Sequence, residues 1–438
     1  MTAHLVTAAE SLAAQRRAAG GLRRAGLAAG DRVAVLVPPS GDLLAVVLGA
    51  LRTGVIPVIG DPALPAAERA ELLADAEPRL VLDTPAALGA VLEAPPVELA
   101  DAPLGRPMHY TSGTTGRRKG VWSGVLSEAD ARALLAEETE LWSLAADDIH
   151  LVLSPLHHSA PLRFSTATLL AGGSVLLGGK FDAATAYRLI AGERPTTAFG
   201  VPTQLRRLRA TVGEGRPDLA SFRLLAHAGE ACPQPLKQWA VDVFPTDSVY
   251  EFYGSTEGQF TVCSTAQWRE HPDSVGRARP HRRLSVDDSG AIWCRVPDYA
   301  RFGYWRDPDK TARAWRGDAF TVGDVGRLDA DGYLYLDGRR EDLVITGGVN
   351  VYPREVERVL AECPGVAEVA VFGVPDEEWG QRLCAAVTGS ATPSSLSEYA
   401  DQRLAPAKRP KTYRVVADLP RTATGKIRRV DLAGLLDR

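Results

Sequence analysis

Tyr110-Thr111-Ser112-Gly113-Thr114-Thr115-Gly116-Arg117-Arg118-Lys119-Gly120 follows an extended run, and it concentrates small hydroxyl residues, glycines and a lysine. Glycine lets backbone N–H groups turn inward around an anion, Ser and Thr add hydroxyl donors, and Lys adds a point charge. The same residue types also fill ordinary polar turns. A Walker phosphate loop is excluded, because Lys119 is followed by Gly120 rather than by Ser or Thr. Composition weighs toward a site. Basic residues are nearly all arginine, and lysine occurs only at positions 119, 180, 237, 310, 408, 411 and 426. A lysine inside a glycine motif is therefore unlike drift, and that holds for Lys119 and Lys426 alike.

The sequence before this stretch alternates. A helical pattern over 7–26 ends at Gly30, and Val33–Val37 is a β-branched run of the kind buried in parallel sheets. A helix from about Gly41 to Thr53, the run Val55–Ile59, a helix over about 65–76 and Leu80–Leu82 continue the alternation. This is the pattern of a doubly wound α/β layer. After the stretch, a helix near 127–141 precedes a strand at Ile149–Leu153, and helix and strand alternate again from Ala167 to about Arg209. Ser154-Pro155-Leu156-His157-His158 follows that strand, and its two histidines are either loop polarity or half of a metal site. From Ser285 to Tyr335 the pattern turns to β, with runs at Ala291–Val296, Gly303–Trp305, Phe320–Leu328 and Gly332–Leu336. Asp331-Gly332 reads as a hairpin turn. The remainder suits a compact α+β cap: helix 353–363, strands 366–373 and Leu383–Val387, helix 394–404 and strand Tyr413–Val416.

Bulk properties bound the function. The 438 residues allow two or three domains, with 45% hydrophobic and 24% charged residues. A net charge of −4 gives no basic field for nucleic acid. The five cysteines are dispersed without metal or redox spacing, which suits a reducing cytoplasm. MTAHLVTAAESLAAQRR does not read as a signal peptide, and no run of about twenty apolar residues predicts a membrane span.

Two further stretches carry chemistry. In Tyr250-Glu251-Phe252-Tyr253-Gly254-Ser255-Thr256-Glu257-Gly258, Tyr253 offers a flat ring to a purine face and Gly254 permits close approach. Thr256 can donate to a phosphate, and Glu257 is an oxygen ligand suited to Mg2+, which takes one or two carboxylates and keeps waters. Near the end lies Leu419-Pro420-Arg421-Thr422-Ala423-Thr424-Gly425-Lys426-Ile427.

In this order and separation, the three stretches resemble the adenylate-forming superfamily of acyl- and aryl-CoA synthetases, luciferases and peptide-synthetase adenylation domains. The resemblance runs from about residue 10 to 430, and peripheral structure before Tyr110 looks trimmed. It implies an α/β fold: a large N-terminal domain of doubly wound mixed sheets with a β-barrel-like subdomain, and a small mobile α+β C-terminal domain. The expected domains are 1–340 and 341–438, with Glu341 at the hinge position, where the family mostly has Asp or Lys.

It also implies roles. Thr111, Ser112, Gly113, Thr114, Thr115, Gly116 and Lys119 would hold ATP phosphates. Gly229, Glu230 and Ala231 would form the adenine rim beside Tyr253, Gly254, Ser255 and Thr256. Asp324 and Arg339 would contact the ribose, with Val322 replacing the usual threonine. His158 and Phe199-Gly200-Val201-Pro202 would border the acyl pocket, and Arg163 would meet a polar substituent or solvent. Gly347-Gly348 would line the pantetheine tunnel, and Lys426 would be the catalytic lysine. The reaction implied is acid activation to an acyl-adenylate with ATP and Mg2+, then transfer to coenzyme A. Alternatives are transfer to a carrier-protein thiol or an unusual small nucleophile, a luciferase-like oxygenase, and a nucleotide-binding scaffold without turnover. The sequence sets no oligomeric state, and a small or polar-substituted acid is the expected substrate.

Overall fold

A computed structural model describes residues 3–111, 119–212, 218–421 and 427–436. The chain folds as two compact units. The first comprises residues 1–229, 236–283 and 294–320, and the second residues 230–235, 284–293 and 321–438.

Two sheets build the first unit. One has six strands in the order Gly303–Tyr304, Lys119–Trp122, Met108–Thr111, Ile56–Ile59, Arg32–Val35, Leu80–Leu82. Its last four strands are parallel, and Lys119–Trp122 pairs antiparallel to Met108–Thr111 with Thr111 opposite Lys119. The other sheet has eight strands, beginning His4–Thr7, Ser174–Leu177, Ile149–Val152, Thr197–Gly200, Leu224–His227, Val249–Glu251. All but the first of these six run parallel. Thr261–Ser264 and Arg277–Ala278 complete it antiparallel.

Helix Gly41–Leu51 is apolar on every side, and Leu43 to Leu51 are all buried. It packs on helix Ala8–Arg24 at close range, because a Cβ on Gly49 would lie 2.5 Å from the Gln15 carbonyl. The latter helix starts where Thr7 accepts from the Glu10 amide and Glu10 reaches back to Thr7, a capping box.

The second unit carries a sheet of Val349–Val351, Val344–Thr346, Gly380–Gly389 and Val366–Asp376, joined by Thr412–Val415 alongside Gly380–Gly389. Helices Pro353–Leu360 and Pro393–Arg403 cover a core that includes Val356, Leu360, Val371, Leu383 and Leu396. Asp324–Leu328 and Leu334–Arg339 form an antiparallel pair, turning where Asp331-Gly332 predicts.

The expected alternation is present, with local corrections. The run Phe320–Leu328 is two strands, Ala319–Phe320 and Asp324–Leu328, because Gly323 takes φ +84 between them. Strand His4–Thr7 and helix Pro85–Leu92 stand where no element is predicted. Four residues of mixed polarity carry too little pattern to show the first. Among the described residues, no helix is long and apolar enough to cross a membrane.

Candidate active site

Ligands bind beyond the carboxyl ends of parallel strands. Three parallel strands of the eight-stranded sheet deliver the predicted residues there. Ile149–Val152 leads to His157 and His158, Leu224–His227 to Gly229, and Val249–Glu251 to Tyr253–Glu257.

The second motif is a tight reversal. Gly254 bridges to Gln259, and Ser255 N–H donates to the Gly258 carbonyl at 2.9 Å. A Cβ on Gly254 would lie 2.7 Å from that carbonyl, so glycine is required there. Tyr253 is buried with its ring 4.9 Å from that of Phe260.

Glu257 is buried, and its Oε1 accepts from the Tyr304 hydroxyl at 2.9 Å. Burial, reinforced by the Glu257 charge, pushes the Tyr304 phenol far up, so it remains a donor. Tyr304 stands opposite Val121, on the strand that begins with Lys119. Lys119 Nζ lies 3.2 Å from Asp307 Oδ2. Arg106 Nη1 donates to the Glu257 carbonyl at 3.0 Å. The first and second motifs are thus tied together through Arg106 and Tyr304. Sequence reading missed both residues, since neither lies in a motif.

His109 donates from Nδ1 to the His157 carbonyl at 3.1 Å, and burial pulls its imidazole down to about 4. His157 Nε2 is 3.8 Å from Asp61, and the His157 and His158 rings are 4.3 Å apart. His158 precedes helix Ser159–Leu170 as its N-cap. Among the described residues no three His, Cys, Asp or Glu side chains cluster as a metal site.

A cavity of about 140 Å³ opens between these elements. Ser255, Thr256 and Gly258 line it together with Ser159 and Arg163. Phe199 instead packs with Phe164 and Phe252.

In the second unit, Asp324 faces Arg339 across the strand pair, with Arg339 Nε 3.2 Å from Asp324 Oδ1. Arg339 also reaches Glu341 at 3.4 Å. Gly347 and Gly348, with φ +55 and +78, form the two-residue turn between Val344–Thr346 and Val349–Val351. Glu230 and Ala231 belong to this unit, while Gly229 belongs to the first. Ser112, Gly113, Thr114, Thr115, Gly116 and Lys426 lie outside the described residues.

The fold and this arrangement define an adenylating enzyme. The family model for AMP-binding enzymes matches residues 3–104 and 107–304, and the model for the AMP-binding enzyme C-terminal domain matches 355–426. The chain belongs to the AMP-binding enzyme family and is an AMP-forming acid–thiol ligase.

Among its relatives, an indoleacetate–CoA ligase of Aromatoleum aromaticum is 35% identical over 351 residues, 75% of this chain and 67% of that protein. A feruloyl-CoA synthase of an Amycolatopsis species is 34% identical, with 94% of this chain and 90% of that one covered. Among solved structures, ATP-bound MatB from Rhodopseudomonas palustris superposes with a TM-score of 0.84 at 29% identity, over 97% of this chain and 92% of that one.

Proposed function

We propose that this enzyme activates a small carboxylic acid with ATP and then passes the acyl group to coenzyme A. In the first step a carboxylate oxygen attacks the α-phosphorus, the α–β phosphoanhydride bond breaks, and pyrophosphate leaves with the electron pair. In the second, the thiol sulfur attacks the acyl carbonyl, AMP departs, and the thiol proton is released. The observation that carries this reading is that Thr256 lines one cavity with Ser159 and Arg163, while Lys119 and Glu257 are linked through the strand pairing of Tyr304. The relatives named for indoleacetate and ferulate with coenzyme A support the acceptor.

The first step brings two anions together, so positioned cations and donors dominate its catalysis. Residues 111–116 and Lys119 hold the β- and γ-phosphates. Gly229, Glu230, Ala231 and Tyr253 receive the adenine, Asp324 and Arg339 the ribose, and His158 borders the acid. Lys426 bridges the carboxylate and the α-phosphate. After adenylation the 341–438 domain turns about Glu341, withdrawing Lys426 and presenting Gly347-Gly348 to pantetheine. The free, mostly buried thiols suit a cytoplasmic setting.

Glu257 is the residue placed to hold Mg2+. Tyr304 occupies Oε1, and among the described residues Oε2 has no hydrogen-bond donor, which leaves one oxygen for a hard cation. Bound there, the ion would neutralise charge on the departing pyrophosphate.

The test is acid-dependent pyrophosphate release across an acid panel, followed by acyl-CoA formation. Pyrophosphate release without any acyl-CoA, under conditions where a carrier-protein thiol is acylated, would move the acceptor assignment. Glu257→Gln is expected to cut adenylation by about 10²-fold and to shift the Mg2+ titration to higher concentration. An unchanged titration would remove Glu257 from the metal. Glu341→Pro should spare adenylation and impair transfer, and an unaffected second step would refute the hinge.

A further inference from the structure

The cavity that carries Thr256 has apolar walls, including Leu134, Leu135, Leu162 and Leu170, yet four arginines line it as well. Arg106, Arg163, Arg279 and Arg282 face it, with Glu138 as the acidic residue in the lining. Behind them Glu137 chelates Arg282, its two oxygens 3.0 and 2.9 Å from the two terminal nitrogens, and meets Arg279 at 3.4 Å. Glu138 takes Arg279 Nη1 at 2.8 Å. Four guanidinium groups against Glu137, Glu138 and the nearby charge of Glu257 leave one positive charge uncompensated around this space.

Two of the four, Arg106 and Arg163, make no side-chain hydrogen bond to a carboxylate among the described residues. Among the described residues Arg106 donates to backbone carbonyls, of Glu257 at 3.0 Å and Arg301 at 3.3 Å, and the Glu257 carboxylate supplies an opposite charge nearby. Burial, with Arg282 and Arg163 nearby, pulls Arg106 down to about 10. Arg163 is less satisfied still. Its Nε lies 3.4 Å from Glu138 Oε2 but out of line for a hydrogen bond, and among the described residues both Nε and Nη2 are buried without a hydrogen-bond partner. Its guanidinium carbon sits 5.5 Å from the Phe252 ring, which holds the group against an aromatic wall. An unpaired buried donor on a charged group is costly to leave unmade, and a planar fork with two open N–H directions matches a carboxylate.

Size completes the reading. A cavity of about 140 Å³ has room for roughly one benzene-sized body. We propose that the acid activated by this enzyme carries a second carboxylate on a short apolar or single-ring body, and that Arg163 binds that second carboxylate. This rests on the acid-activating reading above. The carboxylate that reacts is presented beside Thr256, and the other supplies the counter-charge that the arginine cluster lacks.

The test pairs each short aliphatic or aryl dicarboxylic acid with its monoamide, which keeps the shape and removes one charge. Pyrophosphate release is followed with wild-type enzyme, Arg163→Met and Thr166→Glu. Thr166 lines the cavity one helical turn from Arg163, so the added carboxylate would occupy the guanidinium and repel the ligand. Wild-type enzyme is expected to favour the best diacid over its monoamide by about 10–10²-fold in kcat/KM, the size of a charged hydrogen bond. Arg163→Met should bring that ratio to within about threefold, chiefly through KM, and Arg163→Lys should restore part of it. Thr166→Glu should lower the ratio as well. Equal use of diacid and monoamide by wild-type enzyme overturns the proposal, as does an Arg163→Met enzyme that loses both members of a pair equally. If Arg163→Met does not fold, the wild-type ratio and Thr166→Glu decide. Absence of pyrophosphate release with every acid would instead count against the reaction itself.

Discussion

Replacing Lys426 with alanine is expected to lower acid-dependent pyrophosphate release by about 10²–10³-fold, the loss typical of removing one positioned charge at a reacting centre. Transfer from supplied acyl-AMP to coenzyme A should fall far less. The asymmetry follows from charge. Adenylation joins a carboxylate to a triphosphate, and an ammonium between the two oxygens offsets repulsion that grows toward the transition state. Thiol attack on the mixed anhydride brings in a neutral or singly charged sulfur and expels AMP, and it has no comparable need. Lys426 is one of few lysines in an arginine-rich chain, and a compact ammonium point charge differs from a planar guanidinium in reach and hydration. Lys426→Arg should therefore behave closer to Lys426→Ala than to wild type. The measurement is a pair of single-turnover assays, one from acid and ATP and one from synthetic acyl-AMP. Comparable losses in both would show that Lys426 serves binding or folding rather than adenylation.

Much of this site is legible in the sequence, because its parts are local. Gly254 is needed where the turn closes on Gly258, and Gly347-Gly348 where a two-residue hairpin demands positive φ. Such demands leave a mark in a few adjacent letters. The strands Arg32–Val35 and Ile56–Ile59 show likewise, since burial on both faces writes the apolar runs Val33–Val35 and Ile56–Ile59. What stays hidden is assembled from distant letters. Tyr304 serves Glu257 across 47 positions, and Arg106 meets it across 151. Glu137 and Glu138 sit in a helix whose Glu-Glu-Thr-Glu run reads as a solvated face, yet both are buried. Their partners, Arg279 and Arg282, flank Pro280 in a stretch with no helical or strand period. Only the tertiary fold shows that this charge is interior, and with it the polar character of the acid cavity.

That interior charge carries the largest expected effect on stability. Glu137→Ala should destabilise the first unit by about 3–5 kcal/mol, the cost of removing one partner from a buried ion pair. Glu137 and Arg279 side chains are each 3% exposed, and Arg282 is 6% exposed. Deleting the carboxylate strands the Arg282 guanidinium, leaves Arg279 with Glu138 alone, and removes the acceptor for the Tyr299 hydroxyl. Replacing the pair together, Glu137→Leu with Arg282→Met, should recover most of the loss, because no unpaired charge then remains. In thermal unfolding the single variant should shift the first transition down on the order of 5–10 °C, and the double variant much less.

Acid should act on the same cluster through Glu138. Burial alone would raise its carboxyl, but Arg163 and Arg279 outweigh burial and hold it at about 2, against an ordinary 4.5. A carboxyl lowered on folding contributes stability that is complete above its unfolded value and is lost as pH falls through the folded one. The contribution, roughly 3 kcal/mol, should therefore be present at pH 6 and disappear between about pH 4.5 and 2. Glu138→Gln should flatten that part of the acid-unfolding curve while leaving its neutral side lower. An unchanged acid limb in Glu138→Gln, together with a Glu137→Ala protein as stable as wild type, would mean that these arginines reach solvent and that the cavity holds no stored positive charge for a ligand to meet.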